Sequence, residues 1–272
     1  MIDGMDHGRT KLLELDHGSV QMDVDGTGHD LVVIHSLLTG PEAFDTVVSE
    51  LDDEIRFHRL HLPGFGSSTR LPGPDVTIQD MADVVAHSIA EAGLGPGVTV
   101  LGNGLGSFIA LALAIGHGDA FGRLIVANTG PGFSPERRGP FLVMSETALA
   151  DGMSGVADVA VSRIFPAPYL EAHPEALDER RAVLETIDRK AFAAACRALS
   201  ILDLRRDLEA ISNPTMVVVG EIDQTTPPEM GKEVAAHIPG SRFEVISGCG
   251  HCPQLERPDR LVALVRDFVL GS

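Results

Sequence analysis

The clearest structural signal in the chain is the run Thr99-Val100-Leu101-Gly102-Asn103-Gly104-Leu105-Gly106-Ser107. Its apolar opening predicts a short buried strand, and the apolar residues after the glycines predict a helix. Glycine at 102 and 106 lets the strand and helix backbones approach closely, and glycine at 104 freely adopts a conformation that strains other residues by about 1 to 3 kcal/mol. We predict a sharp strand-to-helix turn with position 104 exposed at a sheet edge. An ordinary glycine-rich turn has the same pattern, so other residues must decide what this turn does.

Two further residues are predicted to reach the same edge of the sheet. The run Thr215–Gly220 is short, apolar and rich in β-branched residues, which is typical of a buried parallel strand, and Asp223 follows it. The strand-like run Arg242–Ile246 is followed by His251. Open α/β sheets gather their ligand-binding groups beyond the carboxyl ends of the strands. We therefore expect an acid and a histidine beside position 104.

Strand and helix patterns alternate along the chain, as in a doubly wound parallel sheet. Helices are predicted at Pro41–Leu51, Ile78–Ala92 and Gly104–Ile115, and a further strand at Arg123–Asn128. From about residue 133 to residue 208 the periodicity is helical, including Ala176–Thr186 and Lys190–Leu202. This predicts an α/β core domain formed by residues 1–132 and 209–272, with a helical cap formed by residues 133–208.

The turn, the acid and the histidine resemble the α/β-hydrolase family in order and context, over nearly the whole chain. The family's elbow reads G-x-S-x-G, and an acid and then a histidine follow it. The resemblance implies an α/β-hydrolase fold, with a mostly parallel sheet, helices on both faces and an α-helical cap. It places Gly104, Asp223 and His251 at the three catalytic positions. Gly104 departs from the family pattern, because glycine has no nucleophilic hydroxyl group.

The resemblance also implies an oxyanion hole. The segment Leu31–Leu38 is similar to the family's third strand and oxyanion loop, with Ser36 where glycine is common. By that resemblance, the backbone N–H groups of Leu37 and Leu105 would bind the negative charge that develops on the substrate.

Other loops are similar to those of particular subfamilies. The run His61–Ser68 is similar to the family's D-x-P-G-x-G-x-S loop, with histidine in place of the aspartate. The runs Asp223–Glu229 and Gly250–Glu256 are most similar to those of 3-oxoadipate enol-lactonases and related small esterases. The elbow is also similar to that of hydrolases that cleave carbon–carbon bonds in meta-cleavage products. A small ester, an enol-lactone or an activated ketone is therefore the expected substrate.

Substrate contacts are expected mainly from the cap, which would cover the sheet edge and exclude bulk water. Four arginines lie in the predicted cap: Arg137, Arg138, Arg163 and Arg197. A guanidinium can bind a carboxylate in bidentate fashion, and we select Arg197, which lies beside Cys196 on an apolar helix face. Aromatic and sulfur-containing side chains are candidates for the lining, namely Phe133, Met144, Phe165 and Tyr169. Three core residues complete the candidates for substrate binding: Ser36, Asn103 and Cys252.

The chain has three cysteines, an odd number and too few for a disulfide framework in 272 residues. Cys249-Gly250-His251-Cys252 spells a C-x-x-C motif, so a disulfide oxidoreductase is a competing interpretation. Too few residues follow Cys252 for the further strands and helix that a thioredoxin-like unit needs. Cys252 is also the nearest candidate for a displaced nucleophile.

Composition narrows the partners and the cellular location that we expect for the protein. A content of 44% hydrophobic residues can fill one large core, and the net charge of −18 disfavours nucleic acid and anionic membranes as partners. The amino terminus lacks a basic and then apolar leader, and we find no apolar run near the roughly 20 residues of a membrane helix. We therefore expect a cytoplasmic protein with a small-molecule substrate.

No cofactor is expected from the sequence. The histidines are too scattered to form a metal site, and no H-E-x-x-H motif is present, so we expect neither a metal nor an organic cofactor. The oligomeric state is left open.

Four functions are compatible with these residues. In the first, His251 with Asp223 acts as a general base on water. A site that has lost its nucleophile still accelerates the reaction about 10³- to 10⁴-fold over water, through its oxyanion hole and substrate binding. In the second, the chain is a serine hydrolase whose nucleophile was replaced. The third is a non-hydrolytic enzyme in which His251 moves a proton for elimination, decarboxylation or ring formation. The fourth is a catalytically dead ligand-binding protein. A structural role for Asp223 and His251 is the remaining alternative.

Overall fold

The computed structural model describes residues 8–271, without the side chains of residues 158, 159, 161 and 162. The amino-terminal residues in which we expected no leader, 1–7, lie outside the described residues. The strands are β1 (Arg9–Leu15), β2 (Gly18–Asp25), β3 (His29–Ile34), β4 (Ile55–Leu60), β5 (Thr99–Asn103), β6 (Arg123–Ala127), β7 (Thr215–Gly220) and β8 (Arg242–Ile246). They form one sheet in the order β1-β2-β4-β3-β5-β6-β7-β8.

The sheet is mostly parallel. Strand β2 runs antiparallel to β1 and to β4, and every other neighbouring pair of the sheet is parallel. The predicted α/β class with a mostly parallel sheet is therefore confirmed. The carboxyl ends of β5, β6, β7 and β8 lie side by side, so the loops that follow them converge on one edge.

Helices cover both faces of the sheet. Their bounds are α1 (Asp45–Ser49), α2 (Ile78–Glu91), α3 (Leu105–His117), α4 (Pro135–Asp151), α5 (Ser154–Ile164), α6 (Ala167–Ala172), α7 (Ala176–Glu185), α8 (Arg189–Ile201), α9 (Pro228–His237), α10 (Pro253–Glu256) and α11 (Pro258–Leu270). Strand side chains alternate between faces, so Val32 and Ile34 pack with α2 and α3 while Leu31 and Val33 pack with α1 and α11. The sheet therefore separates two apolar cores.

One predicted helix is shorter in the structure. Residues Pro41–Phe44 form a 3-10 turn, and α1 continues only to Ser49 rather than to Leu51. Three consecutive β-branched residues, Thr46, Val47 and Val48, restrict side-chain rotamers in a helix and weaken its propensity. By contrast, α2 begins at its predicted residue, where Thr77 and Asp80 form a reciprocal capping box, and it ends one residue before its predicted end.

Helices α4 to α8 form a helical insertion between β6 and β7. Helices α4 and α8 pack against each other, and an isolated β-bridge between Gly132 and Asp203 closes the base of the insertion. Phe133 and Phe141 belong to the same apolar core as α2 and α3. The insertion therefore shares its core with one face of the sheet.

Candidate active site

Gly104 occupies a sharp turn between β5 and α3, with φ 54° and ψ −120°. Both flanking glycines stand at close backbone approaches. A Cβ at position 102 would lie 2.2 Å from the carbonyl oxygen of Gly106, and a Cβ at position 106 would lie 2.0 Å from that of Ile34. No side chain fits at either position, so the alternating glycines follow directly from the geometry of the turn.

The loops after β7 and β8 bring Asp223 and His251 to this turn. His251 Nδ1 lies 2.8 Å from Asp223 Oδ2, and both side chains are buried. A Cβ placed on Gly104 would lie 3.1 Å from His251 Nε2. The imidazole therefore binds the acid through one nitrogen and presents the other to position 104.

Asp223 is held by a set of donors that fixes its charge as well as its orientation. Oδ1 accepts the backbone N–H groups of Thr225 (2.8 Å) and Thr226 (3.2 Å), and Oδ2 accepts the Thr226 hydroxyl and the Asn128 side-chain amide, both at 2.7 Å. Burial works against the charged form, but the charge and hydrogen bond of His251 and these donors outweigh it, so the pKa of Asp223 lies below its ordinary value. The carboxyl group is therefore an ionised partner for the imidazole.

The backbone on either side of His251 is fixed by Glu256. Its Oε2 accepts the N–H of Gly250 at 2.6 Å, and its Oε1 accepts the N–H of Cys252 at 2.9 Å. Burial raises the pKa of this carboxyl group, while the two N–H donors favour its charged form. The Asn103 side-chain amide adds a bond of 3.1 Å to the carbonyl oxygen of His251. The histidine loop is thus held by α10 on one side and by the end of β5 on the other.

Asn128 is a site residue that sequence reasoning missed. It follows β6 with φ 53°, a positive value that asparagine tolerates better than most residues. In this conformation its side-chain amide donates to Asp223 Oδ2 and, at 2.9 Å, to the carbonyl oxygen of Gly250. The available signal was an asparagine at a strand end before Thr129-Gly130-Pro131. Asn128 therefore links the acid loop to the histidine loop.

The two amides expected to form an oxyanion hole are both free to bind an anion. Leu105 is the first residue of α3, so its N–H has no partner within the helix. Leu37 lies on the loop after β3. Within residues 8–271, neither N–H has a hydrogen-bond partner, and both residues line the cavity that contains Gly104 and His251. Two unpaired N–H groups, one at a helix N-terminus, form a suitable anion site.

His35 fixes the loop that carries Leu37. Its Nε2 accepts the N–H of Leu62 at 3.1 Å, so Nδ1 carries the proton and donates to the carbonyl oxygen of Ser36 at 2.8 Å. Burial lowers the pKa of His35 to about 4. The residue is therefore neutral at neutral pH, and each ring nitrogen has one partner.

The site faces an apolar cavity of about 30 Å³ between the core and the helical insertion. Its lining comprises Ser36, Leu37, Leu38, Gly104, Leu105, Phe108, Phe133, Phe141, Met144, Arg163, Leu199, Thr225, Thr226 and His251. Such a volume holds about two water molecules, whereas ligand pockets measure roughly 300 Å³ or more. The cavity in this structure is therefore smaller than a typical ligand pocket.

The structure brings Ser36, Phe133 and Met144 to this cavity, but not Asn103, Arg197, Tyr169 or Cys252. The Asn103 side chain is used by His251 and by Gln254, which donates to it at 2.9 Å. Arg197 donates to the Ser145 hydroxyl at 2.8 Å and to the Pro74 carbonyl at 3.1 Å. Both side chains therefore tie elements of the fold together.

Tyr169 and Cys252 also lie away from the cavity lining. The Tyr169 ring stacks on Phe165 at 4.6 Å, and its hydroxyl is 3.4 Å from the carbonyl oxygen of Leu255. Cys252 is a free, buried thiol, and burial raises its pKa well above the ordinary value, as it also raises the pKa of Cys249. A displaced cysteine nucleophile and a C-x-x-C redox pair are therefore unsupported, because the thiolate is the reactive form.

Two features are absent from residues 8–271. No group of three or more histidine, cysteine, aspartate or glutamate side chains is arranged to hold a metal ion. None of the helices there has both the length and the apolar character needed to cross a membrane.

Comparisons with known proteins agree with this geometry. Residues 31–264 match the Alpha/beta hydrolase family. A pimeloyl-[acyl-carrier protein] methyl ester esterase of Nitrosomonas europaea is 25% identical over 256 residues, which cover 90% of this chain and 97% of the relative. A malate-bound esterase from Thermogutta terrifontis has a TM-score of 0.87 at 28% identity and covers 96% of this chain and 98% of its own. The enol-lactonase from Burkholderia xenovorans LB400 has a TM-score of 0.88 at 27% identity, with 96% and 100% covered. On both sequence and structure, the chain belongs to the alpha/beta hydrolase family.

Proposed function

We propose that this chain hydrolyses a small ester, an enol-lactone or an activated carbon–carbon bond at the site formed by Gly104, Asp223 and His251. One observation carries the proposal: His251, Leu37 and Leu105 line the same small cavity, and the N–H groups of the two leucines have no partner within residues 8–271. A base and an oxyanion hole that share one cavity are the parts that acyl transfer needs.

The chemistry follows from the position of each group. His251 Nε2 takes a proton from the attacking hydroxyl group as that group adds to the substrate carbonyl carbon. The Asp223 carboxylate, 2.8 Å from Nδ1, orients the ring and stabilises the imidazolium ion. The N–H groups of Leu37 and Leu105 bind the oxyanion. When the tetrahedral intermediate collapses, Nε2 returns the proton to the leaving oxygen or carbon.

Glycine at position 104 leaves two interpretations of the site. In the first, water attacks the substrate, because the cavity has room for about two molecules. This is the water-activating mechanism expected from glycine at position 104. A serine hydrolase whose nucleophile was replaced is the other interpretation of that glycine, and in it the site keeps its base and its hole but not its full rate.

Arg163 favours a substrate that carries a carboxylate. Its guanidinium lines the cavity with His251, and within residues 8–271 it has neither a hydrogen bond nor an ion pair. It lies 5.9 Å from the centre of the Phe141 ring. Burial lowers the pKa of this guanidinium from its ordinary value, so an incoming anion would relieve the cost of burying its charge. We therefore assign the carboxylate-binding role to Arg163 rather than to Arg197.

The relatives support this substrate class. One structural neighbour is an enol-lactonase, and another, an esterase, was determined with malate, a dicarboxylate. We further propose that residues 133–208 act as a cap domain that opens to admit the substrate. Phe133, Phe141 and Arg163 would then form the wall of the site that moves.

Ester hydrolysis by the wild-type protein and two variants tests the function. Short-chain p-nitrophenyl esters are suitable first substrates, followed by monoesters of dicarboxylic acids. His251→Ala and Asp223→Asn are each expected to lower kcat by about 10³-fold or more, because they remove the base or its correct tautomer. Hydrolysis that is unchanged in His251→Ala would refute the proposal.

The carboxylate preference has its own matched control. Arg163→Gln should raise KM for a monoester that carries a carboxylate and leave KM for the corresponding neutral ester unchanged. Arg197→Gln, which alters an arginine outside the cavity, should change neither. Equal effects of both variants on both esters would contradict the role of Arg163.

A further inference from the structure

The side chain of Ser36 occupies the place that an elbow serine would take. Ser36 Oγ lies 2.2 Å and Ser36 Cβ 3.0 Å from the point where a Cβ on Gly104 would stand. The same point is 3.1 Å from His251 Nε2. The hydroxyl group of the oxyanion loop and the free nitrogen of the base therefore flank one position from opposite chain segments.

The hydroxyl group is available, although the residue that carries it is held firmly. Ser36 is 3% exposed and lines the cavity. Its N–H donates to Thr39 Oγ1 at 3.3 Å, and its carbonyl oxygen accepts from His35 Nδ1 at 2.8 Å. Among residues 8–271, Oγ itself has no hydrogen-bond partner. Oγ is not one of the fully enclosed polar atoms that lack a partner, so it remains accessible from the cavity.

Two departures from the family pattern meet at this point. Serine stands at position 36 where glycine is common, and glycine stands at position 104 where serine is usual. A Cβ at position 104 would stand 2.2 Å from Ser36 Oγ, which is shorter than any real contact with a Cβ, so one of the two side chains would have to shift. The hydroxyl group thus stands on the oxyanion loop instead of the elbow, at the cavity that His251 also lines.

We propose that Ser36 is the nucleophile of this site. The inference rests on the proposed hydrolase function and names the attacking group. Ser36 Oγ adds to the substrate carbonyl carbon while its proton passes to His251 Nε2. The bond to the leaving group then breaks, and Nε2 gives the proton to that group, which leaves an acyl ester on Ser36. Water hydrolyses the ester, with its proton passing through Nε2 back to Ser36 Oγ, so the enzyme is restored.

The oxyanion hole suits this nucleophile. In the family, one donor is the N–H of the residue after the nucleophile and the other comes from the loop after the third strand. For a nucleophile at position 36, the following residue is Leu37, whose N–H is free, and Leu105 supplies the second free N–H from the elbow. The same two donors therefore serve, but Leu37 now follows the nucleophile and Leu105 is the donor from the other segment.

Covalent labelling tests the proposal independently of the natural substrate. The wild-type protein is treated with a fluorophosphonate, and the modified peptide is identified by mass spectrometry. We expect one adduct, on Ser36, which forms at least about 100-fold more slowly in His251→Ala, because the base activates the hydroxyl group. Ser36→Ala should form no adduct. Ser88→Ala, which removes a buried hydroxyl group of α2 that donates to Val84 at 2.8 Å, should label like the wild-type protein.

Hydrolysis assays separate this inference from the proposed function. Ester hydrolysis that persists in Ser36→Ala and disappears in His251→Ala would overturn the role of Ser36 and leave a hydrolase that uses water. Labelling of Ser36 in a protein that hydrolyses none of the esters would support the nucleophile and overturn the proposed substrates. If Ser36→Ala does not fold, the site of labelling in the wild-type protein still decides, since an adduct elsewhere or no adduct refutes the role of Ser36.

Discussion

Gly104→Ser, made in the wild-type protein and again in Ser36→Gly, measures directly how the two positions share one space. In the wild-type protein the new Cβ would stand 2.2 Å from Ser36 Oγ and 3.0 Å from Ser36 Cβ. In the Ser36→Gly background both contacts are absent. The backbone conformation at position 104, with φ 54° and ψ −120°, is the same in the two backgrounds.

The expected free energies follow from these contacts. A residue with a Cβ in this conformation is strained by about 1 to 3 kcal/mol, and that amount applies in both backgrounds. Overpacking against Ser36 adds about 1 to 3 kcal/mol, and only where Ser36 is present. Gly104→Ser should therefore lower the free energy of unfolding by about 2 to 6 kcal/mol in the wild-type protein. In the Ser36→Gly variant the same substitution should lower it by about half as much. The difference is a coupling energy of about 1 to 3 kcal/mol.

Urea denaturation of the four proteins gives this coupling energy, and the single variant Ser36→Gly corrects for its own effect on backbone freedom. The double variant should also hydrolyse p-nitrophenyl esters with a burst, since it carries a serine on the elbow beside His251. A cost of Gly104→Ser that is equal in both backgrounds would refute the reasoning, because it would mean that Ser36 does not fill the space at position 104.

Three further predictions concern the residues around the site. Asn128→Ala should lower kcat without raising KM, because Asp223 and the histidine loop lose a shared donor but the cavity lining is unchanged; steady-state kinetics at several pH values check this. Glu256→Gln leaves one acceptor oxygen for two backbone N–H groups and should lower the free energy of unfolding by about 1 to 3 kcal/mol, as measured by thermal or urea unfolding. The pKa of His35 is about 4 in the folded chain and 6.5 when unperturbed. Its contribution to the free energy of unfolding is therefore complete above pH 6.5 and is lost as the pH falls towards 4, by about 3 kcal/mol in all. His35→Gln, which keeps one donor and one acceptor, should remove this part of the pH dependence of urea unfolding.

Local pattern was sufficient for the elements that carry the site. Strands β7 and β8 have their predicted bounds because both are short apolar or β-branched runs enclosed by turn residues. Since parallel strands end at one edge, the loops after them had to bring Asp223 and His251 together. The elbow was equally readable, because glycine at positions 102 and 106 is required by backbone contacts within the same strand–turn–helix unit.

Contacts between distant segments were not readable in this way. Arg163 and Arg197 both lie on amphipathic helices, and only the fold shows that Arg197 is engaged by Ser145 and Pro74 while Arg163 faces the cavity. The contact of Ser36 with position 104 depends on how closely the loop after β3 approaches the turn after β5. Neither the serine at position 36 nor the glycine at position 104, read alone, indicates that distance. Sequence reasoning considered Ser36 only as a substrate contact.

The single space between positions 36 and 104 also constrains how this arrangement can arise or be lost by mutation. A chain with serine at both positions would place a Cβ 3.0 Å from Ser36 Cβ, and a chain with glycine at both would have no hydroxyl group at this point. Exchange of the two residues by single mutations would therefore pass through one of these two chains.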